Sequence, residues 1–328
     1  MVGRWEDGAA DAVWHALSSG GDLGELGIGR TEAGHWDLRG IAAPRVTERP
    51  TGTIGSLQTT EITGQLTLTG VTLEGMDFGG ASWPSLRLFD TRFVGCIFDS
   101  ADMKDLRMWR SDLVDCTFRG TRLKPCQLGA WSDEERRGNT VSGCLFENTD
   151  LSELNSSAGN FTDCRFLGVK MNDIQFMATN WTRCVFTGQY TDVRWDGRPM
   201  LVDKYPGITL NRMDGCDFVG AKLDGCTFFG LDTSGLKLPS DSMIAVVNDF
   251  ESVMGRAATY IGALQSDVQK KFGAVGKMFE RKAHQMQVPA GGQNLFDLKI
   301  YAGRAEWIEM ARAALVAGGW DGRTAGQN

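Results

Sequence analysis

From Leu68 onward a large apolar residue returns at every fifth position: Leu68, Leu73, Phe78, Trp83, Leu88, Phe93, Phe98, Met103, Met108, Leu113, Phe118, Leu123 and Leu128. A period of five is neither the 3.6 of an α-helix nor the 2.0 of a β-strand. It describes a chain that turns a corner every five residues and sends one bulky side chain inward from each side. The count breaks after Leu128 and restarts at Val141, running through Phe146, Leu151, Ser156, Phe161, Phe166, Met171, Phe176, Trp181 and Phe186. Only Ser156 is out of character there. After a second break come Met213, Phe218, Leu223 and Phe228.

A second, mostly small residue stands two positions before each bulky one. All eight cysteines occupy this slot, at Cys96, Cys116, Cys126, Cys144, Cys164, Cys184, Cys216 and Cys226, alternating with residues such as Ala81, Thr91, Ser111 and Thr121. Zinc sites use closely paired ligands such as C-x2-C, often with histidine, and no such pair exists here. The column Cys144, Cys164, Cys184 would stack one coil apart if four pentapeptides make a turn. Inward-pointing thiols of that kind are expected to act as small hydrophobes, so neither metal nor cofactor is expected. Gly75, Gly80, Gly95 and Gly120 sit two residues after a bulky position, where a tight corner favours positive φ. Asp102, Asp112 and Asp217 precede bulky positions, where short side chains bond turn backbone.

Runs such as Ala101-Asp102-Met103 and Cys216-Asp217-Phe218-Val219-Gly220 resemble the pentapeptide repeat family. The resemblance implies a mainly β fold: a right-handed quadrilateral β-helix with four pentapeptides per coil, about 35 Å of stacked coils. It covers residues 61–238, with inserted loops at 129–140 and 190–207. Residues 1–60 are expected to be an N-terminal capping segment with a short helix near Asp7 to Ser18. Residues 239–328 are expected to form a C-terminal α-helical domain. The best-understood family members protect DNA gyrase and topoisomerase IV from quinolones or albicidin by resembling DNA in shape and acidity.

Insertions into a solenoid project from it, and aromatic and Arg residues on loops serve as interface anchors. The expected partner-binding residues are therefore Trp131, Asp133, Glu134, Glu135, Arg136 and Arg137 in the first loop, with Arg194, Trp195, Asp196 and Tyr205 in the second. Beyond Pro239, with Ser240 or Asp241 as N-cap, Met243, Val247, Phe250, Met254, Ile261, Leu264, Val268 and Phe272 recur at spacings of three and four. That predicts an amphipathic helix, broken near Gly262 or Gly273, whose apolar face caps the last coil or joins a second subunit in a homodimer. A last helix is predicted from Ala305 to Val316. Lys270, Lys271, Lys277, Arg281 and Lys282 make the polar face of this region basic, which reads as a solvated face.

The formal charge of −7 argues against direct nucleic-acid binding by a basic surface. Residues 64–238 hold 23 acidic and 19 basic side chains, too even a balance for a phosphate-like array. No apolar run approaches the length of a membrane span and no secretion signal stands at the N-terminus, so a cytoplasmic protein is expected. The three histidines are scattered and no catalytic motif occurs. The sequence thus predicts a non-enzymatic protein that binds another protein. The first reading is a DNA mimic that protects a type II topoisomerase from a poison. The alternative is a scaffold in which the helical domain holds the partner; an enzyme with its site at the domain junction ranks last.

Overall fold

A computed structural model describes residues 4–5, 8–43, 47–54, 57–63, 65–198 and 212–327. The chain divides into two compact units, Met1–Lys170 and Met171–Asn328. This division falls inside the repeat, not at the 60/61 and 238/239 positions where the sequence pattern changes.

In the first unit the five-residue period becomes a coil of four pentapeptides. Leu68 pairs with Leu88 and Leu88 with Met108, all in parallel strands. Leu73, Phe93 and Leu113 align in the same way on the next side. A third side carries Met76–Asp77 with the Asp77 to Ile97 bridge, and a fourth the Ser82 to Asp102 bridge. Four sides of five residues make a quadrilateral β-helix. The bulky column is its interior: Leu68, Phe93, Phe98, Phe118 and Leu123 are wholly buried. Burying each such side chain stabilises the fold by roughly 1.5–3 kcal/mol. Four phenylalanines stack through the core, with ring centroids 4.9 Å (Phe98–Phe118), 4.8 Å (Phe118–Phe146) and 5.0 Å (Phe146–Phe166) apart.

The small slot does more than save space. Cys96 Sγ donates to the carbonyls of Val94, at its own corner, and Leu73, in the coil below. Cys116 repeats the pattern with Val114 and Phe93, and Thr91 Oγ1 with Phe89 and Leu68. A thiol or hydroxyl in this slot therefore ties its own corner to the preceding coil.

The lower end of this unit is closed by the segment before the repeat. The helix α1, Ala9–Ser19, ends at Gly20 with φ 74°, a left-handed cap that glycine adopts without strain. Its Trp14 lies 5.0 Å from Trp83 and 6.5 Å from Phe78, sealing the aromatic core, and donates from Nε1 to Ala42 O. Trp36–Asp37 pairs in parallel with Met76–Asp77, and Ala42 bridges Ser82, adding two sides of a coil beneath the first full one. Thr47–Ile54 and Leu57–Thr63 form a two-stranded antiparallel ribbon.

In the second unit, Phe176 pairs with Trp195 and Trp195 with Phe228. The first step falls one position short of a full coil, and the second overshoots one. The missing position lies in the continuous strand Val185–Thr191, whose register shifts against Asp217–Asp224 between Val185 and Thr187. Tyr190, the fourth residue after Phe186, becomes the next inward side chain. Tyr190 and Trp195 are both wholly buried. Both fall within the loop expected from 190; instead the coil continues through Asp196, and the rest of that expected loop, from 199, lies outside the described residues.

The C-terminal region is more mixed than the single helical stripe predicted. Asp241–Val247 is a strand, paired antiparallel with Asn294–Asp297 and Thr324–Ala325. The run Met243-Ile244-Ala245-Val246-Val247 is continuous and rich in β-branched residues, a buried-strand pattern that mimicked helical spacing. Ser240 and Asp241 cap no helix; Asp249 precedes α2, Phe250–Gly262. The stripe breaks at Gly262 and resumes in α3, Ser266–Gln285, with Gly273 inside it. The last helix, α4, spans Ala305–Ala317.

Candidate partner-binding surface

The first insertion is a β-hairpin. Trp131–Ser132 pairs antiparallel with Arg137–Gly138, and Asp133, Glu134, Glu135 and Arg136 at its tip are exposed. Arg137 fixes it to the coils. Its Nη1 donates to Asp112 Oδ1 (3.0 Å) and its Nη2 to Arg110 O (3.0 Å), while its Nε holds Glu135 (2.7 Å). Trp131 is half-buried and its Nε1 donates to Asp133 Oδ1 at 3.0 Å. At the base, Asn139 is wholly buried and donates from Nδ2 to Met108 O and Leu128 O, while Oδ1 accepts from Ser111 N. It satisfies the backbone groups that the interrupted coil would otherwise leave bare.

The second predicted set separates. Arg194 is exposed. Trp195 stacks in the core on Phe228 at 4.8 Å, so it is no surface anchor. Asp196 is buried and bound to Arg198 at 2.5 Å and to Gln175 Nε2 at 3.1 Å, a structural rather than a displayed carboxylate. Tyr205 lies outside the described residues.

The predicted dimer or capping face forms one core within the second unit. Val247, Phe250, Met254, Ile261 and Phe272 are buried with Ala311 and Leu315 of α4, and Leu264 and Val268 pack at its edge. The last coil meets this region through Asn294, which donates from Nδ2 to Phe228 O (2.7 Å) and Leu231 O (2.9 Å). Lys299 adds bonds to Leu223 O and Asp241. The cavity at this junction, lined by Leu223, Cys226, Phe228, Ile244, Leu295 and Asp297, is about 10 Å³, room for one water.

The outer faces of the first unit carry paired charge. Asp90 binds Arg110 (2.6 Å), Asp99 binds Arg119 (3.0 Å) and Asp102 binds Arg122 (2.8 Å), and each pair joins one coil to the next. Asp105 is shared by Arg87 and Arg107. The Arg110 guanidinium holds the Asp90 carboxyl below its usual range. At Asp105 burial pushes upward, but the two arginines prevail and lower it. Such exposed pairs add about 0–1 kcal/mol each. Their larger effect is on what a partner sees, a mosaic of both signs.

Sequence reasoning missed Asn139 and Asn294, because a lone asparagine carries no periodic signal. It also missed a surface aromatic pair: Phe89 and Trp109, half-buried, stack at 4.8 Å with planes 6° apart. Each follows an inward residue directly, so a comparison of positions one coil apart would have shown them. Among the described residues no group of three His, Cys, Asp or Glu is arranged to hold a metal. No described helix is long and apolar enough to cross a membrane.

The coil register defines the class of protein: a pentapeptide-repeat β-helix with a C-terminal region of three helices and a small antiparallel sheet. No family model and no curated protein matches the sequence. Among solved structures, 49% of the chain is similar to 91% of a trypsin-treated variant of QnrB1, a plasmid-mediated fluoroquinolone resistance protein, at 11% identity and TM-score 0.27. Another 54% match covers 88% of HetL, a pentapeptide repeat protein involved in heterocyst differentiation regulation from the cyanobacterium Nostoc sp. strain PCC 7120, at 14% identity and TM-score 0.22. A third covers 37% of the chain and 83% of the pentapeptide repeat protein Rfr23 from the cyanobacterium Cyanothece 51142, at 17% identity and TM-score 0.15.

Proposed function

We propose that this chain is a non-enzymatic protein that binds a protein partner on the outer faces of its coils. The observation that carries this is the filled interior of the coils: their inward side chains are buried, so what the repeat presents to its surroundings is its outer surface. The coils offer outer faces, a projecting hairpin and a half-buried aromatic pair, Phe89 and Trp109.

The paired charges favour recognition by shape and side-chain contact, as in a scaffold, over imitation of a phosphate backbone. The topoisomerase-protecting reading draws on the repeat resemblance and on the hairpin, whose exposed Asp133 and Glu134 reach beyond the coil surface. A supercoiling assay with purified gyrase, with and without a fluoroquinolone, separates the two. Protection that is lost when the hairpin is excised supports the topoisomerase; unchanged drug sensitivity supports the scaffold. Protein binding itself is tested by placing a photo-crosslinking phenylalanine at Glu134 and at Arg107 in living cells. A discrete protein adduct is expected, and absence of any adduct from both positions would sink the reading.

A further inference from the structure

The segment before the repeat seals the core of the first full coil but leaves part of its lower rim uncovered. Trp36–Asp37 and Ala42 lie beneath two of the four sides. The other two, Thr67–Thr69 and Thr72–Glu74, are the end strands of their sheets. Their ladder to the coil above uses Gly70 N and Gly75 N as donors, and Leu66 O and Val71 O as acceptors. Backbone groups of a strand point alternately to either neighbour, so those of Thr69, Thr72 and Glu74 face down. Their N–H groups have no partner among the described residues.

Between this edge and the end of α1 lies a cleft of about 540 Å³, within the roughly 300–1,000 Å³ of binding clefts. Ser18, Ser19, Gly21, Asp22, Thr69 and Thr72 line it and are exposed. Leu17, Leu23 and Leu73 also reach its walls but are buried, so the cleft offers chiefly main chain. Its chemistry is that of acceptors. Leu17 O, Ser18 O and Ser19 O, at the C-terminus of α1, accept no backbone bond among the described residues, and the last turn holds no basic residue. Such a terminus carries about half a negative charge. Asp22, held by Gly24 N, adds a carboxylate, and Glu74 stands exposed on the edge strand. Arg30 is engaged elsewhere, over the Trp36 ring at 4.0 Å and on Gly34 O. A cationic side chain is favoured here and an acidic one repelled.

We propose that this edge is a docking site for an extended, lysine- or arginine-bearing segment of a partner protein, which would pair beneath Thr72–Glu74 and set its cation against the end of α1. An edge of free N–H and C=O groups is a template for strand addition, with the backbone bonds supplying affinity. A docked helix would leave those groups bare. The site lies at the end of the stack, so it stands apart from the reading that places a partner on the outer faces.

The test uses the full-length protein and a short fluorescein-labelled peptide of alternating valine and lysine, followed by anisotropy. Saturable binding with a Kd of about 100 μM is expected. At saturation, hydrogen exchange at the Thr72 and Glu74 amides should slow at least tenfold. The same peptide with its backbone nitrogens methylated should bind at least tenfold more weakly, and so should one with glutamate in place of lysine. Thr72→Pro removes a downward N–H that the ladder above does not use, and Ser19→Arg adds bulk and a cation at the end of α1. Each should weaken binding at least fivefold with an unchanged melting curve; should Thr72→Pro lower the melting curve, Ser19→Arg carries the comparison. Equal binding of the methylated or the glutamate peptide, equal binding to Ser19→Arg, or unaltered exchange at Thr72 overturns the site. Binding that vanishes when the hairpin is excised overturns it too, since the peptide would then sit on an outer face. Crosslinks at Glu134 alongside a silent edge would leave the outer-face reading standing.

Discussion

Phe118 and Phe146 are separated in sequence by more than a full coil, yet their rings stack 4.8 Å apart with planes inclined by 4°. The surplus over one coil is the hairpin from Trp131 to Gly138, and its ends meet where Asn139 N donates to Ala130 O at 3.2 Å. The coil passes through the insertion without losing register.

Excision of Trp131–Gly138, joining Ala130 to Asn139, should therefore leave the first unit folded. The expected change in melting temperature is a few degrees, since the loss is chiefly the Arg137 bonds to Asp112 and Arg110. Circular dichroism with thermal melting checks this. Unfolding of the variant at room temperature would show that the hairpin is part of the core.

Asn139→Ala should cost far more, about 3 kcal/mol, because three buried backbone groups lose their partner at once. Asn294→Ala should cost a similar amount in the second unit, where Phe228 O and Leu231 O lose theirs. Urea denaturation monitored by tryptophan fluorescence gives both numbers. A loss below about 0.5 kcal/mol would mean that water replaces the amide.

The cysteine slot should accept hydroxyls. Cys116→Thr should change stability by less than about 1 kcal/mol, because Thr91 and Thr121 already make the same carbonyl bonds in equivalent positions. Cys116→Leu should destabilise by about 1–3 kcal/mol through overpacking. Thiol titration with a disulfide reagent should find Cys226 first, as it is the cysteine with partial exposure.

Stability should fall at alkaline pH. Burial pushes the Cys226 thiol from 9.0 up to about 12 in the folded chain, and burial likewise raises Cys126. A raised folded pKa means a contribution fully present below the unfolded value and lost as pH climbs through the folded one. The urea midpoint should hold from pH 7 to about 9 and then decline toward pH 12. Cys226→Ser should remove part of that decline, and an unchanged slope would show that the thiol titrates normally.

The fivefold count made the first unit legible because each of its coils holds the register or gains a whole hairpin. It even placed Ser156, the apparent misfit, at an inward and wholly buried position. The count failed at Phe186, where one position is missing and a continuous strand replaces a corner. From there Tyr190 and Trp195 looked like loop aromatics, although they fill the core. The stripe from Met243 failed differently, since a spacing of four between Met243 and Val247 fits a strand as well when the residues between them are apolar.

The seal that Trp14 makes over Phe78 and Trp83 also sets an order of events during synthesis. Trp14 leaves the ribosome before the coils it supports, so the growing stack starts from a covered base. At about 5–20 residues per second, each further coil emerges over roughly 1–4 s. Strand pairing takes microseconds. Every coil of the first unit can wrap onto its predecessor before the next arrives, which lets a unit built on parallel pairing be wound from one end.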